Sequence, residues 1–100
     1  MPLHWVVLAL ALQAPAETAG SIDAGLNLYH RRQFTRAAAE FQKAADADPQ
    51  SAAAAWYLAY TWYKIAEPKR PFHPDKQKAA DMFAKAFQLD PTFKPTWGRK

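Results

Sequence analysis

Two stretches of the sequence end alike, and together they decide the fold: Phe41–Pro49 reads FQKAADADP and Phe83–Pro91 reads FAKAFQLDP. Both follow the pattern F-x-K-A-x-x-x-D-P, and an alanine, Ala37 or Ala79, stands four residues before each phenylalanine. Residues four and seven positions apart lie on one face of an α-helix, so each stretch predicts a helix with an apolar stripe. The Asp-Pro pair should end each helix, because the residue before a proline disfavours helical geometry. The second stretch follows the first by 42 residues, which indicates an internal repeat.

Each of these two helices is expected to pair with a helix that precedes it. The sequence predicts four helices, at about residues 18–31, 35–47, 52–66 and 75–89. Thr35 and Ser51 are the expected N-caps, since a short side-chain oxygen can accept a hydrogen bond from a free N–H group of the first turn. Gly25 and Ala59 are small enough for a neighbouring helix to approach closely. Alanine is abundant and Val and Ile are scarce, so the predicted fold class is all-α, with two antiparallel helix hairpins.

The spacing of these residues resembles the tetratricopeptide repeat, a helix–turn–helix unit that recurs every ~34 residues. The matching positions of the first unit are Gly25, Leu28, Phe34, Ala37, Phe41, Ala44 and Pro49. Those of the second unit are Leu58, Ala59, Trp62, Ala79, Phe83, Ala86 and Pro91. Ser21, Ala24 and Ala55 depart from the pattern, because the family usually has Trp, Leu and Trp there. The resemblance implies a fragment of an α-solenoid at residues 17–100, with repeats at about 18–51 and 52–91.

Residues 1–16 form a separate apolar segment. They contain no Lys, Arg, Asp or Glu, and Trp5–Leu12 reads WVVLALAL. Ala14–Ala16 fits the small-x-small pattern of a signal-peptidase site, so residues 1–16 are predicted to be a signal peptide and the mature chain to begin at Glu17. The protein would then be exported, to the periplasm or out of the cell. The alternative is an apolar N-terminal helix that packs on the domain of a cytoplasmic protein; a membrane span would need about 20 apolar residues.

Two segments lie outside the repeat pattern. The second unit contains an insertion at about residues 65–74, in which Glu67–Pro74 reads EPKRPFHP. Its prolines, at every third position, favour a strand of the polyproline-II type. The insertion is either a basic, aromatic docking loop or a surface loop that tolerated extra length. Residues 92–100 are expected to form a partial cap, with Phe93 or Trp97 covering the last hairpin.

The sequence contains no recognisable catalytic or cofactor site. It has no cysteine, which excludes disulfides, thiolate zinc sites and cysteine nucleophiles. Histidines with metal-ligand spacing and a glycine-rich phosphate loop are also missing. His73–Asp75 could bind a metal weakly, but the sequence favours a turn with a helix cap at this position. Because acidic residues interleave with the basic ones that give the net charge of +4, a nucleic-acid partner is not expected. Enzymatic activity is not expected either, because the sequence offers no catalytic site.

The candidate binding site is an aromatic stripe on the third predicted helix. Trp56, Tyr60 and Tyr63 are four and seven positions apart and therefore share a face. The resemblance implies that this face lines a concave groove that holds peptides, and that Leu58, Ala59 and Trp62 point into the core. The complete set of expected partner-binding residues is Leu26, Tyr29, His30, Trp56, Tyr60, Tyr63 and Lys64. Alternatively, the stripe is covered by the N-terminal segment, by the C-terminal residues or by a second copy of the chain.

These features predict a protein–protein interaction module, a scaffold or adaptor that binds a peptide segment in an aromatic groove. Aromatic side chains suit that role because they provide a large contact area at a low cost in conformational entropy. The alternative is a structural unit that stacks with further copies into an oligomeric solenoid, since about three repeats are usually needed for stability. The expected partner is thus another protein or peptide, or a second copy of this chain.

Overall fold

The computed structural model describes the backbone of residues 2–97 and the side chains of residues 16–97. Within that part of the chain there is no strand, and the helices are α1 (Pro2–His30), α2 (Phe34–Ala47), α3 (Ala52–Ala66) and α4 (Pro74–Leu89). α1 packs along α2 and α3 packs along α4, while α2 joins the two pairs by packing on α3. The predicted all-α fold with two helix hairpins is confirmed.

Most of the predicted helix ends agree with the structure. α2 and α4 each end one residue before an Asp-Pro pair, and the Ser51 hydroxyl accepts a hydrogen bond from the Ala54 N–H at 3.1 Å. The prediction that Thr35 caps α2 is wrong, because α2 already begins at Phe34 and Gln33 stands in the capping position without a side-chain bond. In the turn before α2, Arg32 adopts a left-handed φ of 61°.

The first helix begins much earlier than the predicted residue 18. Its backbone is continuous from Pro2, because the alanines and leucines of the apolar segment are strong helix formers. The side chains of residues 1–15, and with them most of the expected signal peptide, lie outside the described residues. Among the residues that are described, no helix is both long enough and apolar enough to cross a membrane.

The core lies where the two hairpins meet. Phe41 of α2 is completely buried, and its ring stacks on that of Tyr57 in α3 at a centroid distance of 5.5 Å. Alanines surround this pair: Ala37, Ala44 and Ala59 have no exposed surface. Small residues on α2 and α3 therefore leave room for two large rings at the centre of a thin domain.

Gly25 is the position where the close approach of α1 to α2 has the clearest consequence. A Cβ atom built on it would lie 2.5 Å from Cε1 of Phe41, which is too close for the buried ring to remain in place. We expect Gly25→Ala to reduce the free energy of unfolding by about 1–2 kcal/mol, because overpacking at ~1–3 kcal/mol outweighs the better helix propensity of alanine. Gly20→Ala is the matched control, since nothing lies within 4 Å of its Cβ position, and it should be neutral or stabilising. Equal urea midpoints for the two variants would show that the helices do not pack this closely.

The link between α3 and α4 is not a polyproline strand. It spans residues 67–73: α3 ends at Ala66 as predicted, and α4 begins at Pro74, one residue earlier than predicted. Two successive turns form it: the Lys69 N–H donates to the Ala66 carbonyl at 2.9 Å and the His73 N–H to that of Arg70 at 3.2 Å. His73 then caps α4, because its Nδ1 accepts from the Asp75 N–H at 3.0 Å, which agrees with the capping interpretation of this segment.

Candidate functional site

Side chains of α1 and α3 meet at one place on the fold, called the inner surface below, and the chain after α4 folds back across it; these side chains are Tyr29, His30, Trp56, Tyr57 and Tyr60. This stretch, Asp90–Trp97, is called the returning segment below. It contains no helix or strand and has two aromatic residues, Phe93 and Trp97, with Pro95 between them. The inner surface is therefore covered by one of the occupants considered from the sequence, the residues that follow the last helix.

The local sequence explains why the returning segment does not form another helix. Both Asp-Pro pairs make the same turn: the carboxylate of Asp48 accepts from the N–H two residues on at 3.1 Å, and that of Asp90 does so at 2.9 Å. After the first turn, Ser51 caps α3. The equivalent residue after the second turn is Phe93, which has no oxygen for capping, and Pro95 two positions later disfavours helical geometry at Lys94. The chain therefore continues in an irregular, open conformation.

Three side chains of the inner surface hydrogen-bond to the main chain of the returning segment. Trp56 Nε1 donates to the Asp90 carbonyl at 2.9 Å, and the Tyr57 hydroxyl accepts from the Thr96 N–H at 3.2 Å. His30 Nε2 donates to the Trp97 carbonyl. Contacts to main-chain groups do not depend on the side chains of the bound segment, so the inner surface can hold an extended chain by features that every peptide has.

Two rings of the returning segment are held by aromatic side chains. Phe93 lies over Trp56, with centroids 6.5 Å apart and planes 12° from parallel. The Trp97 ring stacks on Tyr29 at 4.3 Å and meets the edges or faces of two more tyrosines, Tyr57 at 4.9 Å and Tyr60 at 5.5 Å. Ring pairs at such distances contribute about 0.5–1.5 kcal/mol each beyond the area that they bury. The surface thus accommodates two rings of the returning segment, from residues four positions apart.

Two ionisable groups are affected by this arrangement. Burial raises the pKa of the Tyr29 phenol above its ordinary value, so the ring that stacks on Trp97 stays neutral at physiological pH. The pKa of the Asp90 carboxyl is lowered, first by the hydrogen bond from the Thr92 hydroxyl and then by the one from the Thr92 N–H. The carboxylate therefore remains charged and keeps the turn closed where the returning segment leaves α4.

The residues predicted to bind a partner separate into two groups in the structure. Tyr29, His30, Trp56 and Tyr60 all contact the returning segment. The other three do not share a hydrogen bond or ring contact with it. Leu26 packs against the core, Lys64 pairs with Glu67 at 3.6 Å, and Tyr63 is 49% exposed.

Tyr63 belongs to a neighbouring cavity at the far end of α3. Phe83 lies between the inner surface and this cavity. Its ring contacts that of Tyr60 at a centroid distance of 5.0 Å, and it also lines the cavity beside Tyr63. It is half-buried, whereas Phe41, which stands at the same position of the first repeated stretch, is fully buried. Phe83 belongs to α4, which lies at the edge of the fold, where no further helix of the described residues covers it.

Trp62, expected in the core, is half-buried on the outer side of α3. It packs against the core, and the Lys78 ammonium lies 4.0 Å from the centre of its ring.

Sequence reasoning missed the central residue of the site, Tyr57. It is only 4% exposed, and it contacts Phe41 in the core, both rings of the returning segment and the Thr96 main chain. The repeat pattern has no defined residue at this position, so the resemblance drew no attention to it. The hydroxyl of a buried tyrosine usually has a hydrogen-bond partner. If Tyr57 had been recognised as a core residue, this requirement would have indicated a polar group beside it.

Comparisons with models of protein families, with curated proteins and with solved structures find no match. In the described part of the chain, no group of three or more histidine and acidic side chains is placed to hold a metal ion.

Proposed function

We propose that this protein is a protein-binding module whose inner surface holds an extended segment rich in aromatic residues and proline. The observation that carries the proposal is the returning segment itself. It lies on Tyr29, Trp56 and Tyr60 and is held through its main chain and through two rings. A surface that binds this chemistry within the chain has the groups needed to bind it in another protein.

We further propose that the two hairpins are divergent tetratricopeptide repeats. The support is the F-x-K-A-x-x-x-D-P pattern, whose Phe41 lies against Gly25 where α1 and α2 pack together. It also gives the same Asp-Pro turn at the end of each hairpin. In such repeats the first helices of successive units line a concave surface, and α1 and α3 are those helices.

The alternative function, stacking of copies into a solenoid, receives less support. The position at which a third repeat would begin is occupied by the returning segment, which turns back over the inner surface. Phe87, 58% exposed on α4, is a remaining apolar contact for a neighbouring copy.

The proposal is tested with a synthetic peptide of the sequence DPTFKPTW, residues 90–97, labelled with fluorescein. The protein is the full chain carrying Trp97→Ala, which removes the ring that its own segment places among the tyrosines. Saturable binding by fluorescence anisotropy, with a Kd of about 1–100 μM, is expected, corresponding to roughly 5–8 kcal/mol. Adding Tyr60→Ala should weaken it about 10-fold or more, as at a typical hot spot.

Phe87→Ala is the matched control for Tyr60→Ala, because it also removes an aromatic ring but lies on the exposed side of α4. It should leave peptide binding unchanged. A peptide in which Phe and Trp are replaced by alanine should not bind. The proposal is contradicted if the Trp97→Ala chain keeps its helical circular dichroism spectrum and shows no saturable binding below about 1 mM, a Kd that corresponds to only ~4 kcal/mol.

A further inference from the structure

The occupant of the inner surface belongs to the chain itself, which has a consequence for how a partner can bind. We propose that the returning segment is an autoinhibitory ligand that a partner must displace. The displacing partner carries an extended segment of the same chemistry: two aromatic residues four positions apart, the second a tryptophan, with a proline between them. This inference rests on the proposed function and adds to it the ligand pattern and the regulation.

The returning segment is attached in the manner of a ligand. It is held by three main-chain hydrogen bonds, by two rings and by a contact of 3.4 Å between the Thr96 and Tyr57 hydroxyls, and Lys94 is exposed. Phe93 and Trp97 are only partly buried and lie against the core, whereas Phe41 at its centre is fully buried between the helices. The segment can therefore leave the surface while the contacts between the helices remain.

The backbone of Trp97 is strained in the bound segment. Its φ is 62°, a left-handed value that residues other than glycine rarely adopt. The ring contacts with Tyr29, Tyr57 and Tyr60 hold it there. A competing segment that meets the same tyrosines from a relaxed backbone would not carry this strain, which favours displacement.

A partner segment explains the arrangement better than exchange of the returning segment between two copies. The segment reaches its own surface directly from α4 through one short turn, which the Thr92 N–H and hydroxyl close on Asp90 at 2.9 and 2.7 Å. Such a short connection gives the intramolecular contact a high effective concentration. Exchange between copies would open this turn and gain no contact that the single chain lacks.

When the chain's own segment occupies the surface, a competitor can bind only the molecules whose surface is free. Its apparent Kd is then the intrinsic Kd divided by the fraction of such molecules. Removal of one anchoring ring should raise that fraction strongly. We therefore expect Trp97→Ala to bind the DPTFKPTW peptide about 10- to 100-fold more tightly than the unmodified chain does, the range of a hot-spot ring. Lys94→Ala, an exposed change in the same segment, should bind it as weakly as the unmodified chain.

The experiment compares the unmodified chain, Trp97→Ala and Lys94→Ala in the same anisotropy titration, with sedimentation of each chain to determine its mass. Phe93→Ala replaces Trp97→Ala if circular dichroism shows that the latter loses helix. Equal, measurable affinities for the unmodified and Trp97→Ala chains would overturn autoinhibition while leaving the proposed function intact. An unmodified chain that sediments as a dimer, with Trp97→Ala monomeric, would overturn it in favour of exchange between copies. Absence of binding to every chain would instead reject the proposed function, and the inference with it.

Discussion

Phe41→Ala should destabilise the protein by about 3–5 kcal/mol, the range for removing a fully buried aromatic ring. The ring has no exposed surface, stacks on Tyr57 at 5.5 Å and fills the space that Gly25 leaves open on α1. Small domains have a total stability of only ~5–15 kcal/mol, so the variant should be largely unfolded at moderate urea concentrations. The measurement is urea denaturation followed by the negative circular dichroism signal of the helices.

Phe87→Ala is the control for the loss of a phenylalanine as such. Phe87 is 58% exposed on α4, and substitutions of this kind usually change stability by less than about 0.5 kcal/mol. If Phe41→Ala melted at nearly the same urea concentration as Phe87→Ala, the stacking of α2 on α3 described above would be wrong.

Tyr57→Ala is expected to have an effect of similar size, about 3–5 kcal/mol, and to release the returning segment as well. Its ring is 4% exposed and connects the two regions, because it stacks on Phe41 on one side and meets Phe93 at 5.8 Å and Trp97 at 4.9 Å on the other. The same urea titration gives the loss of stability. Phe41→Ala removes contacts within the core only, whereas Tyr57→Ala removes contacts with both the core and the returning segment.

Tyr57→Phe separates these two roles. It keeps the ring and removes only the hydroxyl that accepts from the Thr96 N–H at 3.2 Å, so the loss should be about 0.5–1.5 kcal/mol. Amide hydrogen exchange by NMR should show faster exchange at Thr96 with little change in the amides of α2. Unchanged protection at Thr96 would mean that the hydroxyl does not hold the returning segment.

Several features of the fold were predictable because they depend on neighbours in the sequence. The spacing of Ala37, Phe41 and Ala44 predicts a helix with a buried stripe, and all three are fully buried. Ser51 was recognisable as a cap because the capping bond spans only three residues. The start of α2 was misplaced for a local reason too, since the left-handed residue Arg32 that tightens the turn has no sequence signature comparable to glycine.

The candidate site was only partly predictable. Its aromatic residues on α3 followed from helical spacing, and the occupants considered included the residues that did cover them. The segment that covers the inner surface is selected by contacts between residues far apart in sequence. His30 and Trp97, for example, are 67 positions apart. No periodicity of the sequence reports contacts of that range.

The sequence by itself determined that the chain forms alanine-rich helices, that they pair as two hairpins around Phe41, and that each hairpin ends at an Asp-Pro turn. Those outcomes follow from periodicity, capping and the backbone restrictions of proline, which act within one or two helical turns. Only the tertiary structure decided that the returning segment covers the inner surface and that Tyr57 joins core and site. The reason is that these contacts form where several aromatic rings from α1, α3 and the returning segment meet, and their relative positions exist only once the helices have packed.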